Sequence, residues 1–337
     1  MSGPAAEIGV TADLSRGRAL VTRRRWLEGG AITLVAGMAS ALNAQPPKKA
    51  PLIADEEQVV ASVREKAKKV GMGTFEVRWT EHFLGVGDAP PGEYIAQALG
   101  ICESFAKEFL PHFRERGFKL EFPARRMTVV ALKDAASYQA YSGGQRDQAV
   151  GGHYDIDTNE LVVFDFRPNQ GGMAAGAKRV NTFTLVHETA HMLCYNSGLL
   201  PTGHDIPVSI SEGLATYAEL WAPPRDRTAF GKVNVPRLGA LDRSEIPWLP
   251  MARLLSDDAV FENPKAVDLA YAESWLLVHH LLRQPDSLPK FRKYLAEFPK
   301  RGGKVGREAY AESVLGSLGS LDLRIQRYAA RVRPRGK

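Results

Sequence analysis

Two histidines four residues apart, in a segment with helical periodicity, constrain this chain more than any other feature. The segment is TFTLVHETAHMLCYN, residues 182–196. Its apolar side chains recur at helical spacing, and Gly198 is a typical helix end. In a helix, His187 and His191 project from one face on successive turns, so their imidazole nitrogens can reach one metal ion. Glu188, beside the first histidine, can reach a water on that ion.

The H-E-x-x-H spacing is typical of a zinc site in which the two histidines bind the metal and the glutamate is the general base. A catalytic zinc usually has three protein ligands and an open position for water. The segment SEGLATY, residues 211–217, follows on a second predicted helix. Glu212 is therefore the candidate third ligand, and we predict one Zn²⁺ held by His187, His191 and Glu212, with Glu188 as the base.

The residues alone leave alternatives to this interpretation open. His187 and His191 can be helical histidines satisfied by water or by core contacts. Ser209-Ile210-Ser211-Glu212 also has the spacing of a capping box, in which Glu212 would bond a backbone N–H at the start of the helix instead of a metal ion.

H-E-T-A-H followed by S-E-G-L-A-T-Y resembles the thermolysin-like gluzincin peptidases, and among them a poorly characterised bacterial family with an E-G-x-A-x-Y second motif. The chain matches that motif at Glu212, Gly213, Ala215 and Tyr217. The resemblance implies a zincin-like fold, the three zinc ligands given above, and hydrolysis of peptide bonds by a water that Glu188 activates.

One position departs from thermolysin, where an Asp four residues after the third ligand orients a ligating histidine. Thr216 stands at that position here, and Glu219, one turn further along the same face, is the candidate replacement. Tyr217 and Tyr271 are candidates for the donor that would stabilise the oxyanion together with the metal. A core position is the alternative for both tyrosines.

Two other functions use the same residues. The first is a non-catalytic zinc-binding envelope protein on a peptidase-like scaffold, against which the presence of Glu188 argues, because a structural zinc site needs no base. The second is a zinc hydrolase acting on amides or esters that are not peptides. The leading prediction is a metallopeptidase with a peptide or protein substrate, which could add to the strand predicted at Glu160–Phe166.

Residues 1–44 have the pattern of an export signal. A basic and aromatic group, Arg23-Arg24-Arg25-Trp26-Leu27, precedes a short apolar run that ends in small residues. The arginine pair resembles the twin-arginine signal. The apolar run is too short for a stable membrane span. We therefore predict a bacterial protein exported to the periplasm or beyond, in which residues 45–72 form a linker and a leading helix.

The net charge of +6 over 337 residues is a mild excess and does not predict nucleic-acid binding. The basic end of the chain, from Arg324 onward, has the composition of a solvated terminus, with residues 333–337 as a tail. The two cysteines, Cys102 and Cys194, cannot form a disulfide framework. A single bridge between them is an alternative in an oxidising compartment, but both lie in apolar helical patterns where buried thiols are common.

The order of the predicted elements indicates an α+β fold, with a small mixed sheet first, then the H-E-x-x-H helix, then a mainly helical part. We expect the helices to follow on one side of the sheet. Residues 73–198 would form the zincin-like part and residues 199–332 the helical part that carries the third ligand. Strands are predicted at 74–80, 127–132 and 160–166. Helices are predicted at 55–70, 94–113, 181–195, 209–221, 266–282, 288–298 and 308–332.

Overall fold

The structure is a computed structural model, and it describes residues 52–73, 75–88, 93–144, 151–165, 182–222, 230–302 and 305–333. The predicted export signal, the linker to residue 51, the Gly- and Ala-rich segment 168–178 and the tail from residue 334 lie outside the described residues. The strands are β1 Glu76–Trp79, β2 Phe83–Gly87, β3 Met127–Leu132, β4 Gly152–Asp155 and β5 Glu160–Phe164. The helices of the first half are α1 Ala54–Lys69, α2 Glu93–Arg114, α3 Ala135–Tyr141 and α4 Thr182–Asn196.

The five strands form one mixed sheet in the order β1-β2-β3-β5-β4. Strands β2, β3 and β5 run parallel, and the two outer strands are antiparallel to their neighbours. The α+β class and the small mixed sheet predicted from the sequence are thereby confirmed. The predicted strand at Glu160–Phe166 is an interior strand, however, and β4 is the edge strand beside it.

Side chains of the strands alternate between two apolar cores, because successive residues of a strand point to opposite faces of a sheet. Met127, Val129 and Ala131 face the larger core, which also contains residues of α2 and α4. Val130 and Leu132 face a smaller core against α1 and α3. The helices therefore cover both faces, whereas the sequence suggested that they follow on one side.

The second half of the chain is helical. Its helices are α5 Val208–Ala218, α6 Val235–Arg243, α7 Met251–Ser256, α8 Val267–Arg283, α9 Leu288–Ala296, α10 Arg307–Leu315 and α11 Leu318–Val332, with a short 3-10 helix at Asp258–Phe261. The single helix predicted at 308–332 is wrong. Gly316 has a φ of 87°, which ends α10, and the Ser317 hydroxyl accepts a hydrogen bond from the backbone of Ser320 at the start of α11.

Helices α5 and α8 pack closely through Gly213. A Cβ at this position would lie 2.6 Å from the backbone oxygen of Ser274 and 2.5 Å from Val278 Cγ2. Only a glycine lets the two helices approach this far. The larger core continues from the sheet into these helices, so the two predicted parts share one apolar interior.

Cys102 and Cys194 are both buried and both are free thiols, as a core position predicts. Cys102 Sγ lies 3.3 Å from the Thr189 hydroxyl on α4. Among the helices of the described ranges, none combines the length and the hydropathy that a membrane crossing requires.

Candidate metal centre

Three side chains from two helices converge on one point. His187 and His191 lie on α4, and Glu212 lies on α5. The Nε2 atoms of the two histidines are 3.1 Å apart, and Glu212 Oε2 is 3.1 Å from the first and 3.5 Å from the second. A tetrahedral ion with bonds of about 2.0–2.1 Å sets its ligands roughly 3.3 Å apart. This group of residues therefore has the geometry to hold a metal ion.

Glu212 does not act as part of a capping box. Helix α5 begins at Val208 with Pro207 as its N-cap, so Ser209 lies inside the helix, and the Val208 N–H is bound by Asp258 Oδ1 at 2.9 Å. Burial acts to raise the pKa of Glu212, but His191 and His187 together hold it well below its usual value. The carboxylate is thus anionic, as a metal ligand must be.

The His187 ring is oriented by a buried carboxylate. Its Nδ1 lies 2.9 Å from Glu219 Oε1, so Nδ1–H donates to Glu219 and the Nε2 lone pair faces the other ligands. Glu219 Oε2 accepts hydrogen bonds from Arg237 Nε at 3.0 Å and from Asn234 Nδ2 at 3.2 Å. Burial acts to raise the pKa of Glu219, but Arg237 and then His187 lower it to about 2.

The second histidine has a neutral partner. His191 Nδ1 lies 3.0 Å from the hydroxyl of Ser211, the residue directly before Glu212. Helix α5 therefore supplies both a candidate ligand and the group that orients the other helix's imidazole. Thr216 does not orient a histidine ring, because its hydroxyl donates within its own helix to the carbonyls of Glu212 and Gly213.

The Glu188 side chain lies between its own helix, α4, and the edge of the sheet. Its Oε2 accepts a hydrogen bond of 3.0 Å from the backbone N–H of Tyr154 on β4. The side chains of Asn159 and Asn196 fix this strand against α4 through two reciprocal amide hydrogen bonds of 2.8 and 2.9 Å. The Tyr154 hydroxyl donates to the same Asn159 oxygen at 2.8 Å. The hairpin and the candidate base are thus held in one arrangement.

The two candidate tyrosines lie in different surroundings. Tyr217 lies roughly 140° around the α5 axis from Glu212, and its hydroxyl is 3.0 Å from His112 Nε2 in the core. Tyr271 lies on α8 with its ring 5.2 Å from the guanidinium carbon of Arg237, which binds Glu219. Both side chains are buried. Tyr271 is therefore part of the layer around the candidate ligands, whereas Tyr217 faces another helix.

Several other histidines of the described residues bond groups outside the candidate centre. His153 is on β4, buried, with Nδ1 2.8 Å from the Tyr138 hydroxyl on the smaller-core face of the sheet. His204 Nδ1 bonds the Thr202 carbonyl in a loop. His279 and His280 on α8 are both buried.

A second group with metal-ligand atoms close together consists of Glu81, His82 and Glu103. Lys107 Nζ lies 2.8 Å from the Glu81 carboxylate and 3.2 Å from that of Glu103. His82 Nδ1 lies 2.7 Å from Glu103 Oε1. Lys107 already forms an ion pair with each of the two carboxylates, so we assign this group as an ion-pair cluster.

Arg237, Asn234, Ser211 and Tyr154 support the site but were not predicted from the sequence. Asn234 followed by Val235 and Pro236 is a recognisable helix start, and Asn234 does cap α6. Nothing in that local signal indicates that the helix would pack beside Glu219.

Comparison with known proteins adds a family without an assigned function. The model of a family described as a protein of unknown function (DUF1570) matches residues 181–300. The match spans helices α4 to α9, and so includes Glu188 and the three candidate ligands. No curated protein matches the chain.

Proposed function

We propose that this chain is a zinc-dependent metallopeptidase with a zincin-like arrangement of sheet and active-site helix. The observation that carries the proposal is the convergence of His187 Nε2, His191 Nε2 and Glu212 Oε2, with the Glu188 carboxylate on the adjacent residue of the same helix. A structural site would need no such base, and structural zinc sites are usually closed by cysteine and histidine.

The donor set fits zinc better than a hard cation. The two imidazole nitrogens are borderline ligands that suit zinc, and only the carboxylate is an oxygen ligand of the kind that magnesium and calcium prefer. Three protein ligands leave a fourth tetrahedral position for water, as in catalytic zinc sites. The Glu219 carboxylate, held by Arg237, orients one ligating ring in the way such sites require.

Zinc, when bound, would lower the pKa of a water molecule and polarise the carbonyl group to be attacked. Glu188 would accept the proton of that water and later pass it to the leaving amine. Tyr271 would donate a hydrogen bond to the developing oxyanion. Tyr217, the other tyrosine predicted for this role, instead bonds His112 in the core. His187, His191 and Glu212 would hold the ion, and Glu219 would keep His187 in the ligating tautomer.

Strand β4 supports an extended peptide as the substrate. It is the edge of the sheet, it pairs with β5, and its Tyr154 N–H contacts the candidate base. A peptide that adds to a sheet edge gains backbone hydrogen bonds independent of its side chains. The peptide would therefore bind at β4, the neighbour of the strand that the sequence suggested. Export through the signal in residues 1–44 belongs to the same proposal and implies a periplasmic or extracellular substrate.

The test is metal content and peptide cleavage by the mature chain, compared with Glu188→Gln and Glu212→Gln. We expect about one zinc per chain, retained but inactive in Glu188→Gln and largely lost in Glu212→Gln. Glu262→Gln is the matched control, because Glu262 is exposed and outside the centre.

Zinc binding without cleavage of any peptide in a mixed library would overturn the peptidase assignment. It would favour either the non-catalytic zinc-binding protein or the hydrolase of non-peptide bonds. Assays with ester and amide substrates distinguish these two, because only the hydrolase would cleave them. A chain that binds no zinc even after reconstitution would refute the metal centre itself.

A further inference from the structure

The basic end of the chain forms one wall of a cavity. Arg324, Arg327 and Arg331 are on α11, at spacings of three and four residues, and so lie on one face of the helix. Opposite them, Lys290 on α9 and the buried His280 near the end of α8 complete a cavity of about 610 Å³. The three arginines are exposed, as expected of a solvated basic end, and they border a concave surface.

The cavity carries an excess of positive charge that the described residues do not neutralise. Four permanent cations line it against one carboxylate, that of Asp286. Within the described ranges, no carboxylate lies within ion-pair distance of Lys290 or of the three arginines; the Arg331 guanidinium lies over the Tyr328 ring at 5.7 Å. Like charges three and four residues apart on a helix repel one another and cost stability. A bound anion would offset that repulsion.

The neighbouring histidine does not add to this charge. Burial, and then Arg324 and Arg331, lower the pKa of His280 to about 4, so its ring is neutral at physiological pH. Leu281, Leu315 and Ala330 contribute an apolar part of the lining. The cavity thus combines an apolar surface with a rim of cations, and its volume lies within the range of small-molecule sites.

We propose that this cavity binds a compact organic anion bearing two or more phosphate groups. Arginine guanidinium groups bind phosphate oxygens in a bidentate manner, which lysine-only surfaces cannot do. The Cα atoms of the three arginines span roughly 10 Å along the helix, so a ligand with several phosphates can contact them without the side chains having to converge on one point. A ligand with several phosphates satisfies both the number and the spacing of the cations.

This site is separate from the candidate metal centre. On α8, His280 lies roughly 9 Å along the helix axis from Ser274, which contacts Gly213 next to Glu212. The proposal does not depend on peptidase activity or on zinc, and its test uses neither.

The experiment is calorimetric titration of the mature chain with inorganic tripolyphosphate at physiological ionic strength, repeated on Arg324→Gln/Arg327→Gln. We expect saturable binding to the native protein and roughly a hundredfold weaker binding to the double variant, about tenfold for each lost charge-assisted contact. The control is Arg243→Gln/Arg253→Gln, which removes the same charge from exposed positions outside the cavity. Its affinity should stay within about twofold of the native value.

Lys290→Gln, on a different helix, repeats the test should the double variant unfold. A second arm replaces tripolyphosphate with vesicles of phosphatidylcholine and cardiolipin. Binding to vesicles alone would assign the phosphate groups to a lipid headgroup, and binding to tripolyphosphate would assign a soluble ligand. Three results would overturn the proposal. They are binding to neither probe, an equal loss of affinity in the control variant, and cavity-dependent binding that is tighter for single-stranded DNA than for tripolyphosphate.

Discussion

Glu219 Oε1 lies 2.9 Å from His187 Nδ1, and the same carboxylate accepts hydrogen bonds from Arg237 and Asn234. One buried carboxylate thereby links a candidate metal ligand on α4 to helix α6. The pairing fixes the His187 tautomer, so we expect the affinity of the proposed centre for metal to depend also on residues that would not touch the ion.

The first prediction tests this link through Glu219→Gln. The variant keeps a hydrogen-bond acceptor for His187 but loses the negative charge that Arg237 and the imidazole share. We expect zinc affinity to fall by roughly 10- to 100-fold, measured by competition with a chromogenic chelator. Glu262→Gln should bind zinc like the native chain. An unchanged affinity in Glu219→Gln would refute the orienting role.

The second prediction concerns the helix contact behind Glu212. In Gly213→Ala the new Cβ meets the backbone oxygen of Ser274 at 2.6 Å, so α5 and α8 must move apart. We expect a loss of about 1–3 kcal/mol in the free energy of unfolding, measured by denaturant titration. Gly100→Ala is the matched control, because its Cβ meets nothing within 4 Å and the change should stabilise α2 by about 0.5–1 kcal/mol. Equal effects at the two glycines would contradict the close packing.

The third prediction concerns a buried acid on α8. Burial, opposed by the hydrogen bond from the Leu249 N–H and assisted by Asp322, raises the pKa of Glu273 to about 9. Because the pKa is higher in the folded state, the contribution of the Glu273 carboxyl to stability is complete below about pH 4.5. This contribution is lost as the pH rises towards 9. The loss is at most about 1.4 kcal/mol per pH unit.

Glu273→Gln keeps an acceptor for Leu249 and cannot ionise, so it should be more stable than the native chain at pH 8 and similar to it at pH 4. Thermal unfolding at the two pH values is the measurement. A difference between the two proteins that does not change with pH would show that Glu273 is not protonated in the folded state.

The fourth prediction separates the two tyrosines. We expect Tyr271→Phe to lower kcat by roughly 10²–10³-fold with unchanged zinc content, the effect of losing an oxyanion donor. Tyr217→Phe should instead cost about 1 kcal/mol of stability through the lost contact with His112. Peptide-cleavage kinetics and denaturant titration of both variants distinguish the roles. A kcat loss confined to Tyr217→Phe would reverse the assignment.

The arrangement of His187, His191 and Glu188 was predictable because it is local. A helix places residues four apart on one face whatever surrounds it, and the helix at Thr182–Asn196 has a clear apolar stripe and end signal. Strand β3 was predicted with its observed bounds, Met127–Leu132, since its β-branched residues are typical of a buried strand.

Other features depended on contacts between distant segments. The upstream H-E-x-x-H favoured the ligand position of Glu212, but the capping box stayed an alternative until the start of α5 at Val208 excluded it. The order of the strands puts β4 at the edge of the sheet, whereas the sequence suggested the strand predicted at 160–166 as the place where a peptide adds. No local pattern encodes which strand is outermost, because strand pairing is decided by long-range contacts.

By itself, the sequence determined the spacing of the metal-ligand candidates and the α+β class. It also predicts an export-type N-terminus, which lies outside the described residues. Only the tertiary structure decided that Arg237 holds Glu219, that Tyr217 faces the core, and that the α11 arginines line a cavity. The physical reason is that helix and strand periodicity acts over a few residues. The partner of a buried charge is instead set by how whole helices pack.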